Sequence, residues 1–175
     1  ALQNPEVKGM FSTIGGYESV RVRPSIDLDL IRAHPKVFLG YSDTTVTHLA
    51  FLEAGVGSFY GPSLMSGVVD VEGFPYTETW LRGLLLNAWH GPYTASETWT
   101  EDLSDWDAPD FGAELKRPKS LQPGGWRWLQ GEGRAEGHLV GGCAEVLEML
   151  KGTRFWPKPE LWEGAVLFLE PSAAP

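Results

Sequence analysis

Between Lys36 and Gly55 the chain reads KVFLGYSDTTVTHLAFLEAG, and no other stretch limits so sharply what the whole can fold into. A short apolar run stops at Gly40. After a polar turn, Val46, Leu49, Ala50 and Leu52 give a helical period, and Gly55 supplies a stop. A buried strand passing through a tight turn into a helix is the building unit of parallel α/β sheets. The preceding residues follow the same grammar. GMFSTIGG reads as a strand ending in a glycine turn, and IDLDLIRAHP as a short helix closed by Pro35. Strand, helix, strand, helix predicts a parallel sheet in the first third of the chain.

Beyond it, TETWLRGLLLNAWHG predicts a helix. Trp80, Leu81, Leu84, Leu85 and Ala88 share one face, and Gly91-Pro92 forms the stop. From Tyr93 to Gln130 the texture changes to acidic SETWTEDLSDWDAPD, basic KRPKS and a Gly-Gly-Trp. This predicts a long loop or arm with short strands at most, of a length that is usually functional or disordered. Of eight tryptophans, Trp89, Trp99, Trp106, Trp126 and Trp128 fall around this polar region, where they either pin the loop or offer a stacking surface. From Gly131 the pattern tightens into a strand (GHLVGG), a helix (CAEVLEMLKG) and a buried strand (GAVLFLE). The expected division is residues 1–95, a linker 96–130, and the beginning of a second domain at 131–175.

Several classes are excluded. A net charge of -9 provides no basic face for nucleic acid. No apolar run is long enough to span a bilayer, and ALQNPEVKGM lacks the basic-then-apolar pattern of a secretory signal. A single cysteine permits no internal disulfide, which points to a reducing, cytoplasmic compartment. No HxxH, HExxH or CxxC spacing occurs, so neither a metal nor another cofactor is expected. Because the chain opens without Met and runs straight into a strand-like segment, it is expected to begin inside a domain.

Four features could carry chemistry. Ser42 lies in a strand-to-helix turn, at the sheet edge where α/β proteins bind ligands, with helix N–H groups nearby to hold an oxyanion. Gly40 fits the small residue a nucleophile elbow wants two positions before its serine; Thr44 does not fit the one two positions after. Ser and Asp are also favoured helix caps, and the residues alone favour capping. Gly15-Gly16 can turn N–H groups toward a ligand or form a plain turn. Glu170 ends an apolar strand that Pro171 stops; it can orient a histidine or merely reach solvent. Cys143, near a helix start, is either a thiol of lowered pKa or a small buried residue. Among His34, His48, His90 and His138, none stands at a strand end or in a glycine-rich loop. His48 sits about 9 Å along the helix axis from Ser42.

Taken in order, STIGGYES, PSIDLDLIRAHPKVFLGYSDTT, GSFYGPSLM, GEGRAEGHLVGG, LKGT and EGAVLFLE resemble the serine peptidases of the LD-carboxypeptidase family, over nearly the whole chain. STIGG and the long tryptophan-bearing segment resemble its microcin C immunity branch. The resemblance implies a Ser–Glu–His triad with Ser42 as nucleophile and Glu170 as acid, and an oxyanion hole from the N–H groups of Gly16 and Asp43. It leaves the helix cap to Asp43. Trp106, with Trp99 as second choice, would pack on a substrate nucleoside, and Tyr17 and Cys143 would line the substrate site. The implied reaction is amide hydrolysis through an acyl-enzyme. The substrate is an aminoacyl-nucleotide in one branch and a murein tetrapeptide in the other; a non-catalytic ligand-binding homologue is the third reading. Family members are often homodimers. Cys143 stands where the family has asparagine, and Glu18 and Arg21 where it has small or neutral residues. The family histidine falls downstream of the acid, so the chain is expected to be part of a protein about twice as long and inactive alone. The fold implied is α/β: an N-terminal parallel-sheet, flavodoxin-like domain carrying the nucleophile, then the start of a smaller C-terminal α/β or β-rich domain carrying the acid.

Overall fold

The computed structural model describes residues 1–89 and 91–172; His90 lies outside the described residues. The chain forms two compact units, one of residues 1–66 with 134–175, the other of residues 67–133.

In chain order the first unit begins with β1 (Gly9–Phe11), α1 (Ser19–Val22), α2 (Leu28–Ala33), β2 (Val37–Gly40), α3 (Thr45–Glu53) and β3 (Phe59–Tyr60). The second unit holds α4 (Pro75–Leu86), β4 (Thr98–Trp99), α5 (Phe111–Leu115) and β5 (Gln122–Pro123). The first unit is completed by β6 (Leu139–Cys143), α6 (Ala144–Leu150) and β7 (Val166–Glu170).

β1, β2 and β3 form a parallel sheet in that order, with Phe11 opposite Leu39 and Gly40 opposite Tyr60. β6 and β7 form a separate parallel pair that ends with Cys143 opposite Glu170. α3 is the centre of the unit. The spacing predicted one buried face, yet Thr45, Val46, His48, Leu49, Ala50 and Phe51 are all buried. The reason is that α3 is packed from two sides. Val46 and Leu49 join Cys143, Val146, Leu147 and Leu150, while Ala50, Phe51 and Ala54 join Ile31 and Phe38. The segment from residue 134 packs into the same unit as the turn after β2.

α2 starts where Asp27 accepts the N–H of Leu30 (2.9 Å) and ends at His34, before Pro35. α3 ends where Val56 N–H reaches back to Phe51 O (2.9 Å) across Gly55, whose φ of 74° a residue with a side chain rarely adopts.

In the second unit α4 begins with Pro75 and stops at Leu86, before the expected Gly91-Pro92. The unit starts well before residue 96 because α4 carries Tyr76 and Trp80, which pack on Tyr93 and Trp89; Trp80 and Tyr93 ring centroids are 4.0 Å apart. The long polar segment is ordered by Arg117, which grips Asp102 with both terminal nitrogens (3.0 and 2.7 Å) and Glu114 with Nε (3.0 Å). Asp110 caps the short α5, which the sequence did not announce.

Candidate functional site

The turn after β2 is the organising feature. Ser42 has φ 56°, a left-handed conformation that costs a serine about 1–3 kcal/mol and persists only when neighbours enforce it. Two bonds do so. Ser42 N–H donates to the Tyr60 hydroxyl (2.8 Å), and Ser42 C=O accepts from Thr45 Oγ1 (2.6 Å). The carbonyl of Gly40, one residue before the turn, accepts Gly61 N–H (3.0 Å) and lies 2.9 Å from His48 Nε2.

Neither Ser42 nor Asp43 caps α3, which follows a single 3-10 turn over Ser42–Thr44 and has no side-chain cap. The expected cap of α3 by Asp43 is therefore corrected. Asp43 is buried, and its Oδ2 accepts Glu18 N–H (3.1 Å), Ser19 N–H (3.0 Å) and Ser19 Oγ (2.9 Å). The carboxylate caps α1 instead, because α1 presents free N–H groups to it across the turn. This bond set draws the Gly15-Gly16 loop against the Ser42 turn. A Cβ on Gly15 would sit 3.1 Å from Ser42 Oγ and 3.9 Å from Asp43 N, and one on Gly16 would sit 3.2 Å from Asp43 Oδ2.

Thr45, fully buried, fastens β6 to the turn: its Oγ1 accepts Cys143 N–H (2.9 Å) while donating to Ser42 O. The register then delivers Glu170 beside Cys143, and Tyr60 donates its hydroxyl proton to Glu170 Oε2. Burial, then the Glu170 carboxylate, push the Tyr60 hydroxyl well above its ordinary pKa, so it remains a donor.

Two clefts meet at Tyr41. One, of about 370 Å³, is lined by the Gly15-Gly16-Tyr17 loop, Ser42, Cys143, Glu145 and Met149. The other, of about 380 Å³, is lined by Tyr41, Tyr60, Gly61, Phe168 and Glu170. Burial pushes the Cys143 thiol above its ordinary pKa, and Sγ donates to Glu145 Oε2 (3.2 Å). The activated-thiol reading of Cys143 is thereby set aside in favour of the small buried residue. Glu145 is held down at about 2, chiefly by the Ser172 N–H (2.9 Å), so this cleft carries a fixed negative charge.

The structure thus brings Ser42, Gly16, Tyr17 and Cys143 to one cleft, leaves Asp43 buried behind it, and joins Glu170 to Ser42 through Tyr60. Trp99 and Trp106 belong to the second unit. Trp106 stacks on Phe111 at 4.7 Å, and Trp99 Nε1 donates to Pro123 O (2.9 Å). The described histidines serve elsewhere. His48 is buried between Ser58 Oγ (2.8 Å) and Gly40 O; His34 ends α2; His138 is exposed, with Nε2 2.8 Å from Leu161 O. Sequence reasoning assigned no role to Tyr60, Thr45 or Glu145. Tyr60 had one available signal: a hydroxyl-bearing residue at the end of a short strand directly before the GPS turn.

Residues 1–61 match the LD-carboxypeptidase N-terminal domain and residues 136–175 the LD-carboxypeptidase C-terminal domain. The chain is 32% identical over 178 residues to the microcin C7 self-immunity protein MccF of Escherichia coli, covering 97% of this chain and 48% of that protein. It is 31% identical over 169 residues to a probable murein peptide carboxypeptidase of Bacillus subtilis (strain 168), covering 96% and 43%. The solved structure of MccF in complex with glutamyl sulfamoyl guanosine superposes with a TM-score of 0.72 at 27% identity, over 97% of this chain and 50% of that one. The chain spans about half the length of the curated relatives it matches.

Proposed function

The chain belongs to the LD-carboxypeptidase family, a family of serine peptidases, and from that footing we propose that the full-length protein is a cytoplasmic hydrolase that cleaves a peptide-type amide through an acyl-enzyme. The observation that carries this reading is Ser42 held at φ 56° in a cleft, with Tyr60 joining its backbone to Glu170. Ser42 Oγ attacks the scissile carbonyl. The N–H groups of Gly16 and Asp43 hold the oxyanion, and the acyl-enzyme is released by water. Glu170 Oε1 orients a histidine base, a role that none of the described histidines is placed to fill. Tyr17 and Cys143 line the substrate cleft.

The favoured substrate is an aminoacyl-nucleotide. The reading rests on the likeness to MccF, whose structure holds an aminoacyl sulfamoyl nucleoside, and on the half-exposed Trp106 and Trp99, the aromatic faces proposed to pack on the base. A murein tetrapeptide is the second reading, supported by the likeness to the murein peptide carboxypeptidase. A homodimer is part of the same proposal. The test assays full-length protein against aspartyl sulfamoyl adenosine and an L,D-tetrapeptide side by side. Cleavage of the nucleotide compound, lost by about 10³-fold or more in Ser42→Ala, is expected. Undiminished turnover by Ser42→Ala refutes the nucleophile, and cleavage of the tetrapeptide alone selects the second reading.

A further inference from the structure

Tyr60 ends β3 in register with Gly40, so its side chain stands beside the nucleophile turn. Its ring is packed between His48 and Phe168, with centroids at 5.2 and 5.1 Å, which fixes where the hydroxyl points. That hydroxyl accepts Ser42 N–H (2.8 Å) and donates to Glu170 Oε2. One oxygen atom therefore touches the backbone of the proposed nucleophile and the carboxylate of the proposed acid, from residues 128 positions apart in sequence (170 − 42).

We propose that Tyr60 is a positioning residue of the hydrolase, a hydroxyl bridge that holds Ser42 in its left-handed conformation and sets the strength of Glu170 as the partner of the histidine base. This rests on the serine-hydrolase reading above. Three consequences follow from the geometry. Ser42 N–H is committed to Tyr60, so the oxyanion must be held by the next amide, Asp43, and by the Gly15-Gly16 loop that Asp43 ties down. Glu170 keeps Oε2 on Tyr60 and presents Oε1 to the base, which fixes the carboxylate plane. A donor on a carboxylate also withdraws charge from it, so the imidazolium that forms during attack is held less tightly than by a bare carboxylate. The other charged or titratable groups around this bridge face elsewhere. His48 meets Ser58 and Gly40 with its two nitrogens, Asp43 turns Oδ2 to α1, and Cys143 donates to its neighbour Glu145 at the other cleft.

The experiment compares Tyr60→Phe with wild type in the full-length protein, using whichever amide substrate the wild type cleaves and Ser42→Ala as control. The phenylalanine ring keeps the packing against His48 and Phe168 and deletes only the bridge. Removing a hydrogen bond to a charged group predicts kcat lower by roughly 10- to 100-fold, with KM within about twofold. The acidic limb of the kcat/KM profile shifts to higher pH, because an unbridged Glu170 binds the imidazolium more tightly. Incorporating 3-fluorotyrosine at position 60 keeps the bridge with a stronger donor and shifts the same limb to lower pH. This second arm tests the proposal even where Tyr60→Phe fails to fold. An unmoved limb with 3-fluorotyrosine, or kcat and limb both unchanged in Tyr60→Phe, overturns the bridge. If Ser42→Ala also retains activity, the hydrolase reading itself has failed; if only the Tyr60 variants are silent, the bridge alone has.

Discussion

Gly142→Ala tests how tightly β6 is locked to the Ser42 turn. Gly142 has φ 136°, where a side chain is strained, and a Cβ there would stand 2.5 Å from both Thr45 Cγ2 and Oγ1. Thr45 has nowhere to go: it is fully buried, and its Oγ1 serves Ser42 O at 2.6 Å and Cys143 N–H at 2.9 Å. The backbone strain costs about 1–3 kcal/mol, and forcing a methyl into a filled space costs about 1–3 kcal/mol more. If Thr45 turns away to relieve the clash, a buried N–H and C=O lose their partner, again about 1–3 kcal/mol. The last two partly replace each other, so the total is about 3–5 kcal/mol, a large part of the ~5–15 kcal/mol that holds an ordinary domain together. With a urea dependence of about 2 kcal/mol/M, the midpoint falls by about 1.5–2.5 M. Gly152→Ala is the control. Gly152 has φ 75°, with nothing within 4 Å of its added Cβ, so it reports backbone strain alone, about 1 kcal/mol. Urea unfolding followed by far-UV circular dichroism measures both. Equal midpoint shifts in the two variants would refute the claim that Thr45 is an immovable peg. Adding Thr45→Ser to Gly142→Ala removes Cγ2 but keeps the hydroxyl, and recovers part of the loss.

Two further outcomes follow from buried charge. Arg23 is buried, pairs with Glu53 and lies 4.9 Å over the Phe155 ring; Arg23→Ala, which strands Glu53, lowers stability by about 3–5 kcal/mol in the same unfolding assay, and the double variant Arg23→Met, Glu53→Gln recovers most of it. Burial lowers the His48 pKa from its ordinary 6.5 to about 4. Between those values the unfolded chain takes up the proton and the folded one does not, so stability from this group is full above pH 6.5 and falls by about 3 kcal/mol as pH drops toward 4; His48→Gln flattens that window in a pH series of unfolding midpoints.

β2 and α3 were legible because their signals are local and periodic: an apolar run ending at Gly40, a helical spacing, a stop at Gly55. β3 was not, because two residues cannot display an alternation, and with it Tyr60 went unassigned although FYGP stood in a recognised motif. The bond between Thr45 and Cys143 spans 98 positions and leaves no trace in either neighbourhood. The limits of the second unit show a different gap between composition and packing. Composition changes at Tyr93, but packing does not: Tyr93 closes an aromatic cluster with Tyr76 and Trp80, so the second unit begins before α4. Composition reports what solvent sees along the chain, whereas units are made by what side chains touch.

Ser42 shows where local reasoning reaches its limit. Serine before a helix favours a cap, and the residues alone supported that reading. A capping residue takes up extended backbone so that its oxygen can turn back to the N–H two or three residues on; Ser42 at φ 56° does not, and α3 has no side-chain cap. The cap carboxylate of the turn, Asp43, is spent on α1, 24 positions upstream of it. A helix that forgoes its own cap gives up about 1 kcal/mol, and the left-handed serine costs more. Both losses fall on one turn, and the same turn is where Tyr60, Thr45 and the Gly15-Gly16 loop converge. Strain held by that many independent contacts is the physical ground for reading Ser42 as the nucleophile, and it is visible only once residues 15, 19, 60 and 143 are placed around residue 42.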